Sequence, residues 1–281
     1  MRRRTLTGLA ALTLFDIAAA HAQPPPPPDP SWAGLYVGAH AGYRFADIGA
    51  FLPSGGFPVF DPNTGLPTFP VLMTSQTFHP GSGIFGLQGG YSFLFGSTFV
   101  GIEGDFSWGK GSSSNSFTTT DSNTGAFGTN SFAAAVDWSA SLRGRLGYAT
   151  GPWLFYGTAG VSFLRTTVSG AGAFAGGGCL DVFDGLCFAT SSSSAFSFTK
   201  TLTGLVIGAG VEHLFANRFM IRVEYLFADY GHVDFGNVAI NSSFSDGGIF
   251  CNCNVNSAAI GNVSAYVTTQ TVRIGLSTKI P

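Results

Sequence analysis

Eight stretches of this sequence place apolar side chains at every second position, and beyond residue 22 no stretch runs apolar for the roughly 18 residues of a membrane-crossing helix. The first runs from Leu35 to Arg44. It sets Leu35, Val37, Ala39, Ala41 and Tyr43 against Tyr36, Gly38, His40, Gly42 and Arg44. The others lie at about 84–95, 100–108, 138–148, 154–163, 205–215, 219–227 and 272–276. A period of two belongs to a strand, whose successive side chains point to opposite faces.

The connections narrow the choice. Short ones at Gly96-Ser97, Ala149-Thr150-Gly151-Pro152 and Ala216-Asn217 alternate with long ones at about 46–82, 109–136, 164–199 and 231–262. In an antiparallel arrangement every tight turn then falls at one end and every long connection at the other. An even number of such strands, with short turns on one side and long loops on the other, predicts an all-β, eight-stranded, antiparallel up-and-down transmembrane β-barrel. It would have four long extracellular loops and three short periplasmic turns. Hydrocarbon leaves no free N–H or C=O satisfied, so a sheet crossing it must close on itself.

Alternation alone does not say which face points inward, since a water-soluble barrel alternates too. Composition decides. Only 10% of residues are charged and 45% are hydrophobic, against roughly 25% charged in an ordinary soluble domain. That is too little charge to coat a soluble barrel of this length. The polar faces are rich in Gly and Ser, which suit a crowded interior. Aromatic residues gather near the strand ends, among them Tyr43, Phe45, Phe95, Phe99, Trp108, Trp138, Tyr148, Trp153, Phe163, Phe215, Phe219, Phe227 and Tyr230, where amphipathic rings prefer the membrane interfaces.

With the apolar face outward, the inward charges are Arg44, Glu103, Asp105, Arg143, Arg145, Glu212, Arg222, Glu224 and Arg273, with His40 close by. An eight-stranded barrel leaves an interior just wide enough for side chains, and lone charges there are costly. Pairing is therefore expected: Glu103 and Asp105 with Arg143 and Arg145, Glu224 with Arg273, Glu212 with Arg222. Such a set either plugs the lumen or lines a narrow pore.

Arg2-Arg3-Arg4, the apolar stretch Leu6 to Ala20 and the Ala20-His21-Ala22 site read as a signal peptide over residues 1–22. A Pro-rich segment over 23–31 then acts as an extended tether, and residues 32–281 form the barrel. Export places Cys179, Cys187, Cys251 and Cys253 in an oxidising compartment, where disulfides are the default. Three pairings are open. No zinc-binding spacing is present, and no metal or cofactor is expected. The near-neutral balance of 13 basic and 15 acidic residues, with no basic run outside the leader, argues against nucleic-acid binding.

Catalysis needs a nucleophile and a base within reach of each other. The histidines past the leader are His40, His79, His213 and His232; His232 has Asp229 and Asp234 nearby in sequence, and His213 falls on the lipid face near the periplasmic side. No G-x-S-x-G frames a serine. Gly208-Ala209-Gly210 sits mid-strand and reads as clearance for side chains across the lumen.

Trp32-Ala33-Gly34-Leu35-Tyr36-Val37-Gly38 followed by Ala41-Gly42-Tyr43 resembles the opening of the small outer-membrane β-barrel proteins of alphaproteobacteria, the surface-antigen porin family, similar in architecture to OmpA-type domains. Further resembling segments are Phe99-Val100-Gly101-Ile102-Glu103-Gly104-Asp105, Leu142-Arg143-Gly144-Arg145-Leu146-Gly147-Tyr148, Phe155-Tyr156-Gly157-Thr158-Ala159-Gly160, Arg222-Val223-Glu224-Tyr225 and Val272-Arg273-Ile274-Gly275-Leu276. One departure is the final Lys279-Ile280-Pro281, where such barrels carry an aromatic residue. The resemblance implies an eight-stranded barrel in the outer membrane of a Gram-negative bacterium, exposed at the cell surface. The expected function is non-enzymatic: envelope integrity and surface display, in a monomer. Its partners would be outer-membrane lipid and lipopolysaccharide, the outer-membrane assembly machinery, and host or surface ligands at the loops. The alternatives are a low-conductance porin and, behind it, a surface enzyme acting on lipid A or peptides.

Overall fold

The computed structural model describes residues 32–55, 59–60, 67–68, 71–121, 126–180, 186–215, 218–246 and 254–281. Residues 1–31, which hold the expected signal peptide and Pro-rich segment, lie outside the described residues, as do Ala216-Asn217, Cys251 and Cys253. The strands are β1 (Gly34–Gly55), β2 (Val59–Phe60), β3 (Pro67–Thr68), β4 (Val71–Phe78), β5 (Gly81–Phe95), β6 (Thr98–Asp121), β7 (Ala126–Thr150), β8 (Trp153–Leu180), β9 (Leu186–Phe215), β10 (Phe219–Asp246) and β11 (Asn254–Lys279).

Pairing is antiparallel between neighbours from β5 to β11, and β1 pairs with both β5 and β11. The register from Tyr36↔Lys279 to Phe51↔Ser264 closes the ring. β4 continues β5 along β1 without a change of register, from Phe45↔Gly81 to Ile48↔Phe78. Pro80, which has no N–H to give, interrupts them, while its carbonyl still accepts from Ala46 N at 3.0 Å. Counting β4 and β5 as one, eight strands form the ring.

The outward face is apolar near the turn end. Leu205 is 71% exposed and Phe85 63%, whereas Glu103 is 0% exposed. The apolar band runs from Leu35 to Phe45 on β1 and from Trp153 to Phe163 on β8, eleven residues each. That matches the roughly 9–11 residues by which a tilted strand crosses a bilayer. Aromatic rings border it: Phe215 stacks on Phe219 at 5.8 Å at the turn end, and Phe85 on Trp108 at 5.7 Å towards the loop end. Phe99 and Tyr230, expected in these girdles, instead point inward and are buried.

The strands reach far past this band. Most of what the sequence reads as long connections continues the hairpins, because Ser, Thr, Ala and Asn make ladder bonds as well as any residue and need no apolar face outward. Polarity inverts there. On β1 the inward positions pass from Tyr36, His40 and Arg44 to Ala46, Ile48, Ala50 and Leu52. Phe132, Ala134 and Val136 on β7 and Val263, Ala265 and Val267 on β11 join them in one buried apolar core. Outward, β6 there presents Ser112, Ser114 and Ser116.

The change of polarity coincides with a belt of outward charge and of β-bulges. His79 contacts Asp47 at 2.6 Å, Arg165 lies 3.9 Å from Asp137, and Tyr266 Oη donates to Asp229 at 2.9 Å. Register shifts occur at Trp108/Gly111, Val136/Ser139, Asp229/His232 and Asp234/Gly236. The last two are a repeated Asp-aromatic-Gly unit. Asp229 accepts from Gly231 N at 2.8 Å and Asp234 from Gly236 N at 3.0 Å. Both glycines have positive φ, 67° and 138°, which a side chain would resist. Between them Tyr230 and Phe235 turn inward. Beside these bulges the β9–β10 ladder is broken. It runs to Asp229↔Leu205 and resumes in the same register at Ile240↔Ser194. Lys200 Nζ spans the seam to the carbonyl of Asp234.

Candidate functional site: the charged layer of the lumen

The inward charges of neighbouring strands meet because period-two alternation sends them all to one side. Glu103 and Asp105 come from β6, Arg143 and Arg145 from β7, Glu212 from β9, Arg222 and Glu224 from β10, and Arg273 from β11. Each of these four arginines is 1–3% exposed.

Glu103 is the hub. Arg222 Nη1 donates to its Oε2 at 2.6 Å and to its Oε1 at 2.9 Å, Arg143 Nη2 to Oε1 at 2.7 Å, and Tyr36 Oη to Oε2 at 2.6 Å. Arg145 Nη1 approaches Oε2 at 3.4 Å. Asp105 accepts from Arg143 at 3.0 Å, from Arg273 Nη1 at 2.9 Å and from Ser141. Glu224 accepts from Arg143 Nη1 at 2.9 Å, Arg273 Nε at 2.7 Å and Tyr156 Oη at 3.0 Å. Glu212 accepts from Arg145 Nη2 at 2.5 Å and lies 3.1 Å from Arg222 Nε. Four guanidinium groups thus meet four carboxylates. Bidentate and charge-assisted contacts of this kind are what permit such burial.

Arg44, grouped with these charges in the sequence, stands apart. It is buried in the lumen, but its guanidinium donates to Gly109 O at 2.5 Å and to Ser139 Oγ at 3.2 Å, with no carboxylate contact among the described residues. It sits one layer nearer the loop end, where inward residues turn neutral. His40 joins a second, neutral chain: Nε2 lies 2.8 Å from Ser107 Oγ and Nδ1 3.1 Å from Gln88 Oε1, and Gln88 Nε2 donates to Ser277 Oγ at 2.9 Å.

Sequence periodicity finds the ions but misses Tyr36 and Tyr156. Each hydroxyl caps a carboxylate, and the Tyr156 ring lies 3.8 Å beneath the Arg145 guanidinium, a cation–π contact. Glycines on the neighbouring strands make room for them. A Cβ on Gly90 would stand 2.5 Å from Tyr36 Oη, and one on Gly210 2.5 Å from Tyr156 Oη. The recurring signal was Gly opposite Tyr on paired inward positions, as in Tyr36↔Gly90 and Tyr156↔Gly210.

Apolar layers bracket the ions. Towards the turn end Trp32, Tyr36, Phe99, Leu154, Leu214 and Met220 pack together, and towards the loop end lies the apolar core of the projecting strands. The carboxylates flanking His232 are engaged by Gly231, Gly236, Tyr266 and Asn262, so Asp229 and Asp234 serve the bulges. His213 packs edge-on against Trp153 at 4.5 Å on the outer wall. Cys179 and Cys187 are register partners at the β8–β9 tip.

The model of the outer membrane protein beta-barrel domain matches residues 7–245. The chain belongs to this family. It is therefore an outer-membrane protein of a Gram-negative bacterium. Over 215 residues it is 28% identical to the 22 kDa outer membrane protein of Rhizobium leguminosarum bv. viciae, covering 75% of this chain and 70% of that protein. It is also 28% identical, over 253 residues, to the 31 kDa outer-membrane immunogenic protein of Brucella melitensis, covering 89% and 84%. Among solved structures it is similar to the outer membrane protein OprG of Pseudomonas aeruginosa, at 12% identity and a TM-score of 0.35, covering 88% of this chain and 97% of that one.

Proposed function

We propose that this family member is a non-enzymatic, closed barrel that contributes to envelope integrity and displays its loop end at the cell surface. The observation that carries the reading is the packing of the lumen, where apolar layers lie on both sides of the polar and ionic ones and Glu103 and Arg143 are at 0–1% exposure. An ionic layer alone can rearrange around water. Apolar layers on both sides of it give a hydrated solute nothing to replace its hydration. The protein would act as a monomer, held by outer-membrane lipid and lipopolysaccharide and inserted by the outer-membrane assembly machinery, with surface ligands met at the loops. The deciding experiment is single-channel recording of the folded protein in planar bilayers. The closed-barrel reading expects a silent bilayer, and reproducible open steps would replace it with the low-conductance porin.

Two processing features complete the proposal. Cleavage after Ala22 would leave Gln23 as the first residue, which N-terminal sequencing of the exported protein reads directly. Of the three cysteine pairings, the backbone register favours Cys179 with Cys187. Peptide mapping without reductant should recover that pair. Recovery of Cys179 bonded to Cys251 or Cys253 would overturn it.

A further inference from the structure

Near the loop end, above the apolar core, the barrel encloses a cavity of about 160 Å³. Its lining includes Phe117, Phe174, Thr119, Asn130, Ser192 and Ser194, and no charged side chain is among its described lining residues. Phe117 and Phe174 are its aromatic lining, and Phe117 in turn packs on Phe132 of the apolar core at 6.1 Å, and Phe132 on Phe196 at 6.4 Å. The walls carry neutral hydroxyls and one amide beside the apolar Leu72 and Ala173. Two glycines shape it. A Cβ on Gly172 would lie 2.5 Å from Asn130 Oδ1 and 3.4 Å from Ser194 Oγ, and one on Gly128 would lie 3.3 Å from both Phe174 and Thr119. Glycine at 172 is therefore what lets the Asn130 amide lie in the wall. One step further out on β9, Thr190 is 7% exposed and its Oγ1 has no hydrogen-bond partner.

We propose that this cavity binds one ring of a neutral saccharide. Size, charge and chemistry each narrow the choice. A cavity of about 150 Å³ takes a benzene-sized ring, so this one admits at most a single ring, and larger ligands can insert only a terminal unit. An ion would be buried without a counter-charge, which is costly. A wholly apolar ring would strip water from the hydroxyls of Thr119, Ser192 and Ser194 and give nothing back. A pyranose satisfies both surfaces: its hydroxyls exchange hydrogen bonds with Asn130 and the Ser and Thr walls, and its C–H face lies on the negative face of an aromatic ring. The site is separate from the charged layer, and its occupation does not depend on whether the lumen conducts.

The test uses the full chain folded in detergent, titrated with glucose, galactose and N-acetylglucosamine by saturation-transfer NMR and calorimetry. Glucose 6-phosphate and phenol serve as the charged and apolar contrasts. At least one neutral sugar should bind, and both Asn130→Ala and Gly172→Val should weaken it by about tenfold or more. Thr119→Val, which keeps shape and loses one hydroxyl, provides a milder loss should Gly172→Val fail to fold, as judged by heat-modifiable migration on a gel. Absence of any neutral-sugar signal, binding that Asn130→Ala leaves unchanged, or tighter binding of glucose 6-phosphate or phenol would each overturn the assignment.

Discussion

Arg222 Nη1 lies 2.6 Å from Glu103 Oε2, although 119 residues separate the two in sequence and their strands stand on opposite sides of the ring. The contact spans the lumen. It ties β10 to β6 directly, where backbone pairing ties each only to its neighbours.

Breaking that contact on one side should be expensive. Glu103→Gln leaves Arg222, Arg143 and Arg145 short of a buried counter-charge, a loss of about 3–5 kcal/mol for a buried pair. Urea unfolding in detergent, followed by gel migration, reads it. The double variant Glu103→Leu with Arg222→Met should lose much less than the sum of the single changes. Additive losses would mean that the two side chains are not energetically coupled.

Neutralising the ions should not open the barrel. With Glu103→Gln and Arg222→Gln together, the layers formed by Trp32, Phe99 and Leu154 on one side and Leu52, Phe132 and Leu202 on the other remain packed. Planar-bilayer recordings should stay silent for any variant that inserts. Open steps from this double variant alone would make the ionic layer the sole barrier.

Two glycines on β5 should respond in opposite ways. A side chain at Gly90 collides with the Tyr36 hydroxyl and the Ile102 carbonyl, while one at Gly83 meets no atom within 4 Å. Gly90→Leu should abolish heat-modifiable folding, and Gly83→Leu should preserve it. Equal behaviour would show that lumen crowding does not decide which strand positions must be glycine.

The seam between β9 and β10 should be the wall's weak point. Residues 195–204 and 230–239 lack ladder partners across it, and unpaired strand amides exchange with solvent more readily than paired ones. Hydrogen exchange read by mass spectrometry should be faster in peptides covering 195–204 than in those covering 205–212. Equal protection would mean that the ladder closes in solution, which its unchanged register allows.

Much of this was legible without coordinates. The apolar band, the inward set Glu103, Asp105, Arg143, Arg145, Glu212, Arg222, Glu224 and Arg273, and the hairpin order follow from period-two alternation, because a strand has only two faces and hydrocarbon accepts only one kind. Arg44 lies on the inward side that alternation gives it, but at a different height from the carboxylates. Alternation gives a side chain's face, while its height relative to a carboxylate on another strand depends on the stagger of the ring.

What the sequence hid lies beyond the band. There the outward face is Ser, Thr and Ala rather than Leu and Phe, so the contrast that marks a strand fades and the projecting hairpins look like loops. Bulges hide them further. On β7 the inward residues are Phe132, Ala134 and Val136 before the shift and Ser139, Ser141 and Arg143 after it, so a strict alternation fails at that point. The sequence by itself determined that this chain must close into a lipid-facing ring with its ions inside, since one strand's pattern is a local property. Only the tertiary structure decided which ions touch, where polarity inverts and where the wall parts, since each depends on stagger and bulges summed around eight strands.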